Sequence, residues 1–181
     1  ILHWDGSSWD VVSTSPTPPL RGVDMASETE GWAVGETGAI YQWDGTNWAP
    51  VRHPTETTLN AISQDWAVGQ EGTLLNRVGD TWREVASPVT QTLHSVATLS
   101  PSDRWAVGDG GTILHWEGES WETTSSPVTQ TLHAVEMTAA DAGWAVGAAG
   151  TLLRWDGTGW QISDSPTPND LHAISLSGPD H

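Results

Sequence analysis

The sequence predicts an all-β fold, a β-propeller of four-stranded antiparallel blades, on three observations. The pattern Trp-Ala-Val-Gly-x-x-Gly, then an apolar run and a closing tryptophan, recurs within 31–48, 65–82, 104–121 and 143–160, and a headless copy, ILHWDGSSW, occupies residues 1–9. The closing tryptophans Trp9, Trp48, Trp82, Trp121 and Trp160 are spaced 39, 34, 39 and 39 residues apart. Each unit holds four short runs rich in Val, Ile, Leu, Thr and Trp, and none has a helical period. A fixed period near 40 residues, with four short strands and no helix, is the pattern of a propeller blade.

The first and innermost strand of each unit is short and apolar: LRGVDMA from Leu20, LNAIS from Leu59, LHSVATL from Leu93, LHAVEMT from Leu132 and LHAISLS from Leu171. The second is the Trp-Ala-Val-Gly run, opened by Trp32, Trp66, Trp105 and Trp144. It is followed by Gly35-x-x-Gly38, Gly69-x-x-Gly72, Gly108-x-x-Gly111 and Gly147-x-x-Gly150, paired glycines expected to supply the positive φ of a tight hairpin. The third strand is TILHW and its relatives, joined by Asp-Gly or Glu-Gly turns to an outermost fourth strand that begins at the closing Trp. Segments such as HPTETT and SPVTQT then cross to the next unit, because proline cannot donate to a ladder.

This division predicts one domain over 1–181, with blades at 20–58, 59–92, 93–131 and 132–170. Residues 1–19 and 171–181 are expected to form either a composite fifth blade lacking its Trp-Ala-Val-Gly strand, or parts of a larger propeller. Five 39-residue units, less a five-residue deletion after Ser63, exceed the chain by nine residues, the length of one such strand with its turn. The deletion unit also has Arg77 where other copies have Trp, and is expected to be less well packed or locally specialised.

Composition excludes several functions. With no Cys there are no disulfides, thiolate zinc sites or cysteine nucleophiles. Six arginines and no lysine stand against 23 carboxylates, a net charge of -17 that repels nucleic acid and anionic membranes and suits basic partners or a saline exterior. No apolar run approaches the ~20 residues of a membrane-spanning helix, and no signal peptide is seen in this stretch. The 13 tryptophans fall at repeated positions and are read as packing between blades, each burying roughly 150–250 Å².

Gly-Trp-Ala-Val-Gly, Gly-x-x-Gly-Thr-Ile-Leu and Trp-Asp-Gly-x-x-Trp together resemble the BNR/Asp-box-like propellers, including the photosystem II assembly-factor type and bacterial extracellular homologues. The copies are one residue shorter than the Asp-box turn of that family, with His, Gln or Arg before the Trp-Asp pair. The resemblance implies that Asp5, Asp44, Glu117 and Asp156 lock their turns structurally while the tryptophans pack beneath. It also implies a binding scaffold at a bacterial cell surface or outside the cell; some related propellers are sialidases.

Spread one per blade, those four acids do not form the acid/base pair of a glycosidase. His3 and His115 share a position held elsewhere by Gln42, Asn76 and Arg154, which reads as solvated strand. Arg21, Asn60, His94, His133 and His172 share another, directly after the leucine that opens each inner strand. They are expected to ring the mouth of the central channel on the face of the Gly-x-x-Gly turns, as a polar lining or a binding site; five-fold spacing argues against direct metal coordination. Sialidase chemistry needs clustered arginines and a Tyr nucleophile; the arginines are scattered and the single Tyr41 replaces a core leucine.

The expectation is therefore a non-enzymatic interaction module with no cofactor, metal or catalytic residue, binding protein or glycan or building a homo-oligomeric, filamentous or surface assembly. The alternatives are a lectin, or a sialidase- or lyase-like glycan-processing enzyme with its site at the axis.

Overall fold

A computed structural model describes residues 1–4, 6–11 and 18–178, the side chain of His3 excepted. Its described residues form four four-stranded antiparallel sheets and one two-stranded hairpin, and the helical content is four three-residue 3₁₀ turns. The hairpin pairs β1 (Leu2–Trp4) with β2 (Trp9–Val11). Blade one is β3 (Leu20–Ser27), β4 (Glu30–Gly35), β5 (Ile40–Trp43) and β6 (Trp48–Pro50); blade two is β7 (Leu59–Ser63), β8 (Trp66–Gly69), β9 (Leu74–Val78) and β10 (Thr81–Val85). Blade three is β11 (Leu93–Ser100), β12 (Asp103–Gly108), β13 (Ile113–Trp116) and β14 (Trp121–Thr123); blade four is β15 (Leu132–Ala139), β16 (Ala142–Gly147), β17 (Leu152–Trp155) and β18 (Trp160–Ile162). Each blade is a plain meander, the order in which its strands occur in the chain. The chain is a β-propeller.

The first strands β3, β7, β11 and β15 adjoin one another, which makes them the inner strands. Close approach is possible because the position after Arg21, Asn60, His94 and His133 carries Gly22, Ala61, Ser95 and Ala134. A Cβ on Gly22 would lie 3.1 Å from the Ala61 backbone.

Alternation along each second strand splits the core between two junctions. Trp66 and Val68 of β8 face blade three, packing with Leu74 against Leu93, Val96, Ala106, Leu114 and Trp121. Ala67, between them, faces blade one and joins Trp32, Val34, Ile40, Leu59, Leu75 and Trp82. The same arrangement returns at the third junction, where Trp105, Val107 and Ile113 meet Leu132, Val135, Leu153 and Trp160.

The Gly-x-x-Gly turns use their glycines differently from the expectation. The first glycine is extended, at φ -167° for Gly108, and its own constraint is steric: a Cβ there would lie 2.0 Å from the Thr92 carbonyl oxygen. That carbonyl comes close because it accepts a hydrogen bond from the Asp109 N–H at 2.9 Å, tying the turn to the inner strand. Positive φ falls instead on the third residue (Thr37, Glu71, Gly110 or Ala149) and on the last glycine. A Cβ on that last glycine, Gly111, would lie 2.1 Å from the Val128 carbonyl, part of the Ser/Pro segment leaving β14.

Among the described residues β1 pairs with β2 alone and 171–178 belongs to no ladder, so no sheet joins the two terminal pieces. An inner strand can bond only to a second strand, and the strand that would link these two pieces is missing from the sequence. Residues 171–178 instead run beside blade four, where the Leu171 N–H donates to the Gly147 carbonyl and the Leu176 N–H to Oε2 of Glu136.

The deletion shortens β7 to five residues, against eight in β3, β11 and β15. The Arg77 guanidinium fills the indole position and lies 4.8 Å over the Trp32 ring, so the junction keeps its contact in cation–π form. Among the described residues, no helix is long and apolar enough to cross a membrane.

Candidate functional site

The inner-strand position expected at the channel mouth brings its residues into a row. His94 and His133 have ring centroids 5.7 Å apart, and His133 and His172 4.9 Å, closer than five-fold spacing suggests. The row lies at the end of the Gly-x-x-Gly turns: His94 Nε2 is 2.8 Å from Oδ1 of Asp109, the residue after Gly108, and Arg21 pairs with Glu36 at the equivalent turn position, at 2.9 Å. Asn60 donates through Nδ2 to the Leu93 carbonyl at 2.9 Å, bridging two inner strands.

Asp109 anchors the row. It accepts from Thr131 Oγ1 at 3.2 Å as well as bonding His94, and the His94 hydrogen bond holds its carboxyl below the usual 3.8. The pKa of His133 is lowered below 6.5, first by burial and then by the neighbouring His172 and His94, with Asp170 and Asp109 opposing. Its folded form therefore binds fewer protons than the unfolded chain just below 6.5. The stability it contributes is complete above that value and is lost as pH falls through the window toward the depressed folded value. In an NMR titration His133 is expected to titrate below 6.5, and His172→Gln to move it back upward; a midpoint at or above 6.5 would refute this account.

His133 is half-buried and His172 exposed, with their rings tilted at 38° to one another. Among the described residues, no three histidine or acidic groups are placed to hold a metal ion.

The recurrent turn acids behave locally. Asp44 Oδ1 accepts from the Thr46 and Asn47 N–H groups, both at 2.8 Å, and Asp156 Oδ1 accepts from Thr158 N at 2.9 Å, Thr158 Oγ1 at 2.7 Å and Gly159 N at 2.9 Å. These bonds lower both carboxyls, led by Asn47 for Asp44 and by the Thr158 hydroxyl for Asp156. Glu117 is strongly exposed and lies 3.6 Å from His115 Nδ1; Asp5 is outside the described residues. Of the repeat tryptophans, Trp32, Trp66, Trp82, Trp105, Trp121 and Trp160 are buried, Trp48 and Trp144 half-buried, and Trp9 exposed.

Two features were missed in the sequence. His115 is not a solvated strand residue: it is half-buried, stacked on Trp105 at 3.8 Å, with Nε2 2.9 Å from Asp103 Oδ1. Register was the available signal, since Trp105 and His115 are cross-strand partners. The second is a polar recess of about 610 Å³ at the opposite strand ends, lined by Asp24, Glu30, Gln64, Asp65, Arg77 and Arg104. Within it the buried Arg104 pairs with Asp65 of the preceding blade at 3.1 Å.

Comparison with solved structures supports the architecture. The chain superposes on a structure of YCF48 bound to a D1 peptide with a TM-score of 0.72 at 22% identity, covering 97% of this chain and 64% of that one. YCF48 from Cyanidioschyzon merolae gives 0.72 at 19% identity, over 96% of this chain and 66% of that chain. The computationally designed Ika8 protein gives 0.67 at 15% identity, over 87% and 52%. At these identities the likeness establishes the fold. No protein-family model and no curated protein sequence matches the chain.

Proposed function

We propose that this propeller is a non-enzymatic scaffold that grips an extended segment of a protein partner across its channel mouth. The observation that carries this reading is the row Arg21, Asn60, His94, His133 and His172, whose last two rings lie 4.9 Å apart. Imidazole and amide side chains offer hydrogen-bonding groups that suit the alternating amides of an extended backbone. Glu36, Glu71, Asp109 and Asp170 lie on or beside the same turns, and the chain carries a net charge of -17, so the partner segment is basic. The peptide-bound YCF48 structure supports the reading as a precedent on this fold.

We further propose that the propeller belongs to the BNR/Asp-box-like group and works at a bacterial surface or outside the cell. The Asp44 and Asp156 turns support the first, and the lysine-free acidic composition the second.

Titrating basic, acidic and neutral 15-residue peptides by calorimetry tests the function. Saturable binding of the basic set is expected, weakening with salt, and falling about tenfold or more when His94, His133 and His172 are replaced together by alanine. Binding unaffected by the triple replacement, or hits confined to a glycan array, would overturn it.

A further inference from the structure

The first hairpin of blade two is shorter than those on either side of it. β7 has five residues, where β3 and β11 each have eight. Three residues at about 3.3 Å each let the flanking hairpins project roughly 10 Å further. Between them lies the recess of about 610 Å³, walled by Asp24 and Glu30 of blade one and Arg104 of blade three, and floored by Gln64, Asp65 and Arg77. We infer that this recess receives an arginine side chain from a loop of a partner protein, its guanidinium seated between Asp24 and Glu30.

Comparison of the blades shows that the recess replaces an apolar contact. In blades one and four a methionine of the inner strand lies against a glycine of the second strand. Met25 Sδ is 2.3 Å from where a Cβ on Gly31 would stand, and Met137 Sδ 2.2 Å from that of Gly143. Strand β7 stops before the position of those methionines. Asp65 and Arg104 occupy the place of the glycines, directly before the second-strand tryptophan. An ionic hollow thus stands between blades two and three, in the interior of the repeat array.

The charges select the occupant. Two guanidiniums and three carboxylates leave one surplus negative charge in the recess, within a chain of net charge -17. Both arginines are engaged. Arg104, with its side chain 5% exposed, pairs with Asp65 at 3.1 Å and donates to the Pro101 carbonyl. Arg77 donates to the Gly79 carbonyl at 3.1 Å and lies 3.5 Å from Glu30 Oε1. Asp24 is held in place because its Oδ2 accepts the Gln64 N–H at 2.6 Å, while the Glu30 side chain is 47% exposed at the rim. An incoming guanidinium therefore meets one fixed carboxylate and one able to turn onto it. Its planar fork of five donors can serve both at once. An acidic side chain would face three groups of its own sign.

The ionic set is also not closed on itself. Arg77 and Arg104 each hold a buried Nε that meets no acceptor among the described residues. The Arg77 side chain remains 22% exposed, so its guanidinium is within reach of a main-chain carbonyl brought in beside the cationic head. A residue of a polypeptide supplies both groups; a small free cation supplies one. The recess lies at the strand ends opposite the histidine row, and the inference does not rest on the reading of that row.

The probe is acetyl-Gly-Arg-Gly-amide, titrated by NMR into the isotope-labelled 181-residue chain. Saturating shifts are expected at the amides of Gly31, Gln64, Asp65 and Arg104. Binding should be about tenfold weaker for the peptide carrying citrulline, which keeps the shape of arginine and loses the charge. Asp24→Asn combined with Glu30→Gln keeps the acceptors and removes both charges. It should weaken binding to a similar degree while Tm stays within a few degrees. Equal binding of the citrulline peptide, tighter binding of acetyl-Gly-Glu-Gly-amide, or indifference to the double replacement would overturn the inference. So would shifts confined to the histidine row. Replacing His94, His133 and His172 should leave the shift at Gln64 unchanged, so failure at one face is distinguished from failure at the other.

Discussion

Trp105→Ala is expected to destabilise the chain by about 3–5 kcal/mol, lowering Tm by roughly 6–20 °C for a domain of this size. Trp105 is buried between blades three and four, with His115 stacked on one side at 3.8 Å and Trp155 and Trp160 on the other at 4.7 and 5.5 Å. Its indole N–H donates to Oδ1 of Asp103 at 3.0 Å, so the truncation removes a hydrogen bond as well as opening a cavity. Repeat proteins transmit such losses mainly to nearest neighbours. Exchange protection should therefore fall first in β12 to β18 and last in β3 to β6. Trp9→Ala, at a side chain two-thirds exposed, serves as the control and should cost roughly 1 kcal/mol or less. Equal losses at the two positions would contradict the assignment of the repeat tryptophans to junction packing.

Gly111→Ala should cost about 3 kcal/mol or more. The position combines φ +73° with a Cβ site 2.1 Å from the Val128 carbonyl carbon's oxygen, so neither the backbone of the turn nor the crossing segment can yield independently. Gly108→Ala should be similarly severe through the Thr92 carbonyl alone, since φ there is extended. Gly110→Ala separates the two causes. It has φ +66° but open space at its Cβ site, and Thr37, Glu71 and Ala149 occupy its place in the other blades. Its cost should stay near about 1 kcal/mol. Thermal unfolding of the three variants checks the order, and a Gly110→Ala loss as large as that of Gly111→Ala would refute it.

The strands were legible because Trp-Ala-Val-Gly and its flanking runs repeat at a fixed period, and the four complete blades begin at Leu20, Leu59, Leu93 and Leu132 as the spacing predicts. What the pattern concealed was contact between units. Gly108 and Gly111 look alike in sequence, yet one answers to a carbonyl in its own inner strand and the other to φ and a crossing loop. The histidine row lies at the turn end of the inner strands and is closer than five-fold spacing suggests, because β11 and β15 approach through small residues: Ser95 follows His94 and accepts from the Val135 N–H at 3.3 Å. No ladder joins the two described terminal pieces, since the composite expected from them lacks the strand that would bond to both. His115 was misjudged because variation among Gln42, Asn76 and Arg154 hides that every copy lies opposite the second-strand tryptophan, Trp32, Trp66, Trp105 or Trp144.

The shortened hairpin of blade two has a consequence for orientation. Identical blades around an axis would present a ligand with several rotationally equivalent poses, and none would be preferred. Removing five residues after Ser63 leaves an ionic notch at one azimuth, with Arg104 and Asp65 clasped across it at 3.1 Å. The opposite face carries its own asymmetry, running from Arg21 through Asn60 to three successive histidines. Together these marks break the pseudo-rotational degeneracy of the repeat, so a partner spanning several blades has a single angular setting in which its contacts are satisfied.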